Sequence, residues 1–146
     1  MASYPLDPEL PVDLLDAIYP LLGLLNSVRT ISAGKLGILS LAAEQGKISA
    51  ADMKDRLAVS QQAISVAAKE LVEMGLLARD KDPADLRRTW FRLTDAGTKK
   101  LYIERAQART ILAEAISAKL GHNEQLAIRQ AIPALTQISR ATDEPR

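Results

Sequence analysis

The stretch that most constrains the fold is residues 60–75, where apolar side chains recur at helical spacing. The apolar positions follow one another at intervals that keep them on one face, and they are Ile64, Ala67, Ala68, Leu71 and Val72. This spacing predicts a helix with one buried side, capped by Ser60 and ended by Gly75. A short helix to about Leu57, opened by a capping box of Ser49 and Asp52, is predicted before it. Ala58 and Val59 should end this short helix and begin the turn. Two helices joined by such a short turn form a helix-turn-helix.

A basic β-hairpin is predicted directly after this pair of helices. Residues 76–79 and 88–93 have the composition of short strands, and the polar segment between them contains Pro83. The basic side chains that the hairpin supplies are Lys81, Arg87, Arg88 and Arg92. A helix-turn-helix followed by such a hairpin is a winged helix, and a thin cationic wing, about residues 80–88, suits the minor groove of DNA.

The exposed face of the second helix has side chains that suit base and phosphate contacts. Glutamine pairs with adenine through two hydrogen bonds, serine is an adaptable partner, and an apolar side chain contacts the thymine methyl group. The residues concerned are Gln61, Gln62, Ser65, Val66 and Lys69. We therefore interpret residues 60–74 as a recognition helix for the major groove. An ordinary solvated polar face is the alternative for this helix taken alone.

The hairpin also matches a family signature. Residues 82–97 resemble the wing of the MarR family of bacterial transcription regulators, Asp-Pro-x-Asp-x-Arg followed by a strand and Leu-Thr-x-x-Gly. Its fixed positions are filled here by Asp82, Pro83, Asp85, Arg87, Leu93, Thr94 and Gly97. The resemblance extends over about residues 30–100. One departure is Val66, at a position that is often basic in the family.

The resemblance implies a function and a set of site residues. It implies a homodimer that places two winged helices on a pseudo-palindromic operator in double-stranded DNA, often released by a small, frequently aromatic ligand. It also implies that Arg87 is the minor-groove arginine and Asp85 its positioning partner. The expected DNA-binding residues are then Ser60, Gln61, Gln62, Ser65, Lys69, Lys81, Asp85, Arg87 and Arg88.

The two ends of the chain are predicted to be helical and rich in unpartnered apolar surface. An apolar stripe runs through residues 14–28 and packs either on the chain's own core or on a second copy. Pro20 lies inside this stripe and should kink the helix or divide it in two. Ser32 is expected to cap the next helix, which runs to about Gln45 and is ended by Gly46. Thr94 should cap a long helix to about Leu120, and Asn123 a last helix that Pro133 kinks. These helices have little to pack on within one chain, so a dimer is expected.

The predicted fold is mainly α with a small β-hairpin wing. A winged helix-turn-helix domain over residues 32–100 is flanked by an N-terminal lead-in and dimerisation helix, residues 1–31, and by C-terminal dimerisation helices, residues 101–146. Trp90 and Tyr19 are candidates for a ligand pocket wall, with a core or interface role as the alternative. His122 is expected in a surface loop, with a pH- or ligand-sensing role as the alternative.

The charge distribution and the composition limit the functions that this chain can have. Residues 47–100 carry eleven basic and eight acidic side chains, whereas residues 1–46 carry two and five. The chain has no cysteine and one histidine, which excludes thiolate chemistry, thiol-oxidation sensing and metal clusters built on several histidines or cysteines. No nucleophile–base motif or glycine-rich phosphate loop indicates an enzyme, and no cofactor or metal is expected.

The sequence thus predicts a dimeric, sequence-specific DNA-binding transcriptional regulator, acting as a repressor. It contains no apolar run of membrane-spanning length and no signal peptide, so a cytoplasmic location is expected. The alternative is a winged-helix module for protein interaction that does not bind DNA sequence-specifically.

Overall fold

The computed structural model describes residues 4–57 and 59–140. Residues 1–3 and 141–146, which belong to the predicted flanking segments, and Ala58 of the predicted turn lie outside the described residues. The elements in chain order are α1 (Leu10–Asn26), α2 (Ala33–Gln45), β1 (Ile48–Ser49), α3 (Ala50–Leu57), α4 (Gln61–Glu73), β2 (Leu77–Lys81), β3 (Thr89–Leu93), α5 (Asp95–Lys119) and α6 (His122–Arg140). Among the described helices, none combines the length and the apolarity that crossing a membrane requires.

The predicted helices form because their caps and apolar faces are local features of the sequence. Ser32, Ser60 and Thr94 each accept a hydrogen bond from the backbone N–H three residues on, as an N-cap does. The carboxylate of Asp52 accepts hydrogen bonds of 2.7 Å from both the backbone N–H and the hydroxyl of Ser49, which confirms the capping box.

Three predicted details are corrected. The first helix begins at Leu10, before the predicted stripe, because a proline is tolerated in a helix's first turn, and it continues through Pro20 as one element. The last helix begins at His122 rather than after a cap at Asn123. His122 therefore lies in an exposed helical turn, not in a loop.

A strand that the sequence did not predict joins the wing to the rest of the domain. β1 pairs antiparallel with β3, with Ile48 opposite Phe91, so the sheet has three strands in the order β1-β3-β2. Two residues are too few to show an alternating pattern, and their pairing partner is distant in sequence. The extra strand attaches the predicted hairpin to the end of α2.

The core lies in the winged helix-turn-helix part of the chain. The stripe of α4 is buried at Ile64, Ala68 and Leu71, against residues of α2, α3 and the sheet. The other core residues are Ile38, Leu39, Leu41, Ala42, Ile48, Met53, Leu76, Leu77, Phe91 and Leu101. By contrast, neither α1 nor α6 buries any residue.

Thr94 and Gly97 connect the end of α4 to the start of α5. The hydroxyl of Thr94 accepts a hydrogen bond from Gly97 N–H at 3.0 Å and donates to the carbonyl of Gly75 at 2.6 Å. A Cβ atom on Gly97 would lie 2.0 Å from the carbonyl oxygen of Leu76. The Leu-Thr-x-x-Gly signature is thus a close helix–backbone contact that only glycine permits.

Gly97→Ala is expected to destabilise the domain by roughly 3 kcal/mol, because the methyl group displaces backbone rather than a flexible side chain. The control is Gly34→Ala in the first turn of α2, where nothing lies within 4 Å of the added Cβ. That variant should be neutral or stabilised by about 0.5 kcal/mol. Urea unfolding followed by circular dichroism measures both. Equal stability of the two variants would contradict the close contact.

Two carboxylates that lie in helices, Asp52 and Glu104, have lowered pKa values. Hydrogen bonds from the backbone and hydroxyl of Ser49 lower the pKa of Asp52. Burial by itself would raise the pKa of Glu104, but hydrogen bonds from Thr30 and Lys100 outweigh it and hold the pKa below its ordinary value. Both groups therefore prefer the ionised form more strongly in the folded than in the unfolded chain.

Acid is expected to destabilise the fold through these groups. A lowered pKa in the folded state adds stability that is complete at neutral pH and is lost as the pH falls from about 4.3 through the folded-state pKa. Glu104→Gln should lower stability by about 3 kcal/mol at pH 7, and it should flatten the loss below pH 5. Urea midpoints at pH 7, 5 and 3.5 measure this. Parallel curves for wild type and variant would contradict it.

Candidate nucleic-acid interface

The first half of α4 presents an exposed polar face. Gln61, Gln62, Ser65, Val66 and Lys69 are all exposed, while the opposite side of the helix is buried in the core. The hydroxyl of Ser60 accepts from Ala63 N–H at 3.2 Å and so acts as the helix cap. The helical period of the sequence predicts this face, and the structure places all its members on one side.

Two of these side chains are engaged within α4. The hydroxyl of Ser65 donates to the carbonyl of Gln61 at 2.9 Å, and the ammonium of Lys69 lies 3.9 Å from the carboxylate of Glu73. Both are exposed contacts along one helix, which contribute little to stability and exchange easily for an external partner.

A groove runs beside this face between the N-termini of α2 and α4. It has a volume of about 410 Å³ and is lined by Gln62 and Val66 on one side and by Ser32 and Lys35 on the other. The ammonium of Lys35 is paired with Glu70, so this cation is already partly neutralised. Lys35 was not among the predicted site residues, and its position follows from the packing of α2 on α4.

The wing is a turn ordered by two aspartates. Asp82 accepts a hydrogen bond from Ala84 N–H at 2.8 Å, and its other carboxylate oxygen accepts from the indole N–H of Trp90 at 2.9 Å. Asp85 accepts from the backbone N–H of Arg87 at 3.0 Å. The carboxylate of Asp85 therefore orders the turn in which Arg87 lies, and the side chain of Arg87 is exposed.

Trp90 forms the base of the wing between two cations. The guanidinium carbon of Arg88 lies 4.2 Å from the centroid of the indole ring, and the ammonium of Lys47 lies 4.8 Å from it. The hydrogen bond from Trp90 is the main cause that lowers the pKa of Asp82. Trp90 is half-buried, and the guanidinium of Arg88 packs on its ring. Lys47 lies just before β1, and only the unpredicted pairing of β1 brings it to the wing.

The remaining basic residues of the hairpin differ in how far their charge is neutralised. Arg92 is paired with Asp80 at 2.9 Å across the two strands, so it contributes less net charge than the sequence suggests. The ammonium of Lys81 lies 3.5 Å from the carbonyl of Leu86, within the turn. Arg87, Arg88 and Lys81 are exposed around one end of the hairpin.

The described residues contain no cluster of histidine, aspartate or glutamate side chains that could hold a metal ion. Two polar surfaces are exposed instead, the N-terminal half of α4 and the basic wing. Both are anchored to the same core through the sheet and the Thr94–Gly97 junction. This arrangement suits contact with an extended polyanion rather than chemistry on a small substrate.

Comparison with known proteins agrees with this geometry. The family model described as "Winged helix DNA-binding domain" matches residues 24–97, half of the chain. Among curated proteins, an uncharacterized HTH-type transcriptional regulator, YdgJ of Bacillus subtilis (strain 168), is 26% identical over 98 residues, which cover 67% of this chain. The matched part spans 60% of that relative's length.

Solved structures share the whole fold at low identity. Wild type MarR from E. coli, in its apo form, superposes with a TM-score of 0.70 at 18% identity, covering 90% of this chain and 98% of that one. BpsR of Bordetella bronchiseptica, whose DNA binding is described as regulated by 6-hydroxynicotinic acid, gives 0.66 at 21%, covering 88% and 98%. At these identities the likeness concerns the fold, which includes the flanking helices.

Proposed function

The chain belongs to the winged helix DNA-binding domain family, and we propose that it is a dimeric, sequence-specific transcriptional repressor released from DNA by a small ligand. Family and fold are those of DNA-binding regulators, not of enzymes. The observation that carries the proposal is the wing, where Asp82, Asp85 and Trp90 order a turn that leaves the cations of Arg87 and Arg88 exposed.

In the proposed complex α4 enters the major groove and the wing follows the adjacent minor groove. Gln61 and Gln62 lie in the first turn of α4, where a recognition helix contacts base edges, and Ser65 lies one turn further on. Val66 offers an apolar contact to a thymine methyl group. Lys69 suits a phosphate, and Arg87 suits the negative potential of a narrow minor groove.

The dimer is proposed from the apolar surface that the flanking helices leave exposed. No residue of α6 is buried, although it carries an apolar stripe. The exposed large apolar residues of the flanking helices include Leu10, Val12, Leu15, Tyr19, Leu21, Leu22, Leu112, Leu126, Ile128, Ile132, Leu135 and Ile138. Packing α1, α5 and α6 of two copies together would remove this surface from water. Such a two-fold dimer matches the symmetry of an inverted repeat in DNA.

A ligand site is proposed in the groove between the end of α1 and α5. This groove has a volume of about 520 Å³, and Val28, Ile103 and Ile111 give it apolar walls beside Tyr102. Its size and lining suit a small molecule with an apolar or aromatic body. Regulation of BpsR by 6-hydroxynicotinic acid is a precedent in the same fold. Such a ligand would act by binding more tightly to dimers whose recognition helices are misplaced for the operator.

Fluorescence anisotropy tests DNA binding directly. Duplexes tiling the region upstream of the chain's own gene and scrambled duplexes are titrated at several salt concentrations. We expect nanomolar binding to at least one native duplex, a preference of roughly a thousandfold over the scrambled duplexes, and a steep linear fall of the log binding constant with log salt concentration. Equal, weak binding to all native and scrambled duplexes would instead favour a module for protein interaction.

A further inference from the structure

The most unusual group in the described part of the chain is a buried carboxylate that the proposed DNA contacts do not use. Glu104, in the third turn of α5, is only 3% exposed. Both of its carboxylate oxygens lie 3.3 Å from the backbone N–H of Thr30, and one accepts from the hydroxyl of Thr30 as well. The ammonium of Lys100 lies 3.1 Å from the same carboxylate and also donates to the Thr30 hydroxyl.

This cluster connects two parts of the chain that are far apart in sequence. Thr30 lies in the short connection between α1 and α2, and Glu104 lies on α5, 74 residues later. α1 is a proposed dimerisation helix. α5 starts at the Thr94 junction, which is bonded to the end of α4. The cluster therefore fixes α1 relative to the helix that begins at the base of the recognition helix.

A buried ion pair of this kind adds little net stability, but it restricts how the elements that it joins can be placed relative to each other. Removing a carboxylate from water costs several kcal/mol, and its partners repay that cost only when they are correctly placed. Arrangements of α1 that leave Glu104 without Thr30 are therefore disfavoured. The lowered pKa of Glu104 agrees with an ionised group at neutral pH. A hydrophobic contact at the same place would tolerate small rotations, because it has no preferred direction.

We propose that Glu104 is a specificity-determining positioning residue, which sets the distance and angle between the two recognition helices of the dimer and so selects operators by half-site spacing. This inference rests on the proposed function. The DNA feature read through Glu104 is the length of the spacer between half-sites, not the identity of any base. One base pair of spacer changes the separation by about 3.4 Å and the rotation by about 35°.

The test uses a duplex enriched from a random 30-base-pair library by the wild-type protein. One or two base pairs are then inserted or deleted at its centre, and the affinity of each duplex is measured by anisotropy. Wild type should lose roughly a hundredfold in affinity at two base pairs of change. Glu104→Gln should lose roughly tenfold or less, with its affinity for a single half-site unchanged.

Two further variants keep the test decisive if Glu104→Gln is too unstable. Thr30→Val removes the hydroxyl but retains the shape and the backbone N–H, and should give an intermediate spacing profile. Glu44→Gln breaks a mainly exposed pair with Arg56, 3.9 Å apart, and should keep the wild-type profile. A merely structural Glu104 would lower affinity equally at every spacing.

The outcomes separate the inference from the function on which it rests. A spacing profile in Glu104→Gln and Thr30→Val that matches the wild type overturns the role of Glu104 and leaves the regulator intact. A wild-type protein that enriches no duplex at all overturns the proposed function, and the inference fails with it. The inference is supported if affinity depends less on spacer length in both variants, while the Glu44→Gln protein keeps the wild-type dependence.

Discussion

Ile132→Asp is expected to dissociate the dimer and to abolish operator binding at nanomolar protein concentrations. Ile132 is 51% exposed in the single chain and lies on the same face of α6 as Ile128 and Leu135. In a two-fold dimer both protomers carry the substitution, so two unpaired carboxylates are placed in an apolar interface. A penalty of about 3–5 kcal/mol raises the dimer dissociation constant roughly 150- to 5,000-fold.

Sedimentation velocity and anisotropy measure the two consequences of this substitution. The monomer should keep its helical circular dichroism, because α6 buries none of its residues within one chain. Gln130→Asp is the matched control, since it adds the same charge to α6 on the side away from Ile132 and should leave the dimer intact. A dimeric Ile132→Asp protein with normal DNA binding would contradict the proposed interface.

Arg87→Ala is expected to lower affinity for the operator by roughly ten- to a hundredfold while leaving fold and dimer unchanged. The structural contact of this residue is made by its backbone N–H to Asp85, which alanine preserves. Its side chain is exposed, so truncation creates no cavity. The salt dependence of binding should become shallower by about one counterion.

Two controls separate a wing contact from a general loss of positive charge. Lys119→Ala removes an exposed cation at the far end of α5, about 37 Å along the helix from its start. It should leave affinity within roughly twofold of the wild type. Arg92→Ala should have an intermediate effect, because Arg92 is already paired with Asp80. An Arg87→Ala protein that binds like Lys119→Ala would show that Arg87 does not contact DNA.

The parts of the fold that the sequence predicted are those set by local chemistry. The stripe of α4, the caps at Ser32, Ser60 and Thr94, and the capping box at Ser49 depend on residues within one or two helical turns. The long α5 and the hairpin strands also came within a few residues of their observed bounds. Such features are visible in a single chain because period and capping act over short distances.

What the sequence did not show depends on contacts between distant residues. β1 is too short to have a pattern of its own, and Lys47 reaches Trp90 only because β1 pairs with β3. Glu104 lies in a long helix that is otherwise mostly exposed, and nothing near it in the sequence signals burial by Thr30. Gly97 is visible in the sequence as part of a motif, but the reason for it is the carbonyl of Leu76, which belongs to another part of the fold.

The candidate site shows the same division. The helical period alone is sufficient to predict that the polar residues of α4 share one face. The neutralisation of Arg92 by Asp80 and the stacking of Arg88 on Trp90 are cross-strand or ring contacts that depend on strand register. The sequence therefore predicted how many basic side chains the wing carries, but not which of them are exposed and which are paired.

In vitro selection from random 30-base-pair duplexes, followed by measurement of the bound stoichiometry, tests whether the chain is a dimeric, sequence-specific regulator. We expect an enriched inverted repeat whose half-site centres lie about 10–11 base pairs, or roughly 34 Å, apart. Two protomers should bind each enriched duplex. Enrichment of an unrepeated motif bound by one protomer, or no enrichment at all, would contradict a dimeric sequence-specific regulator.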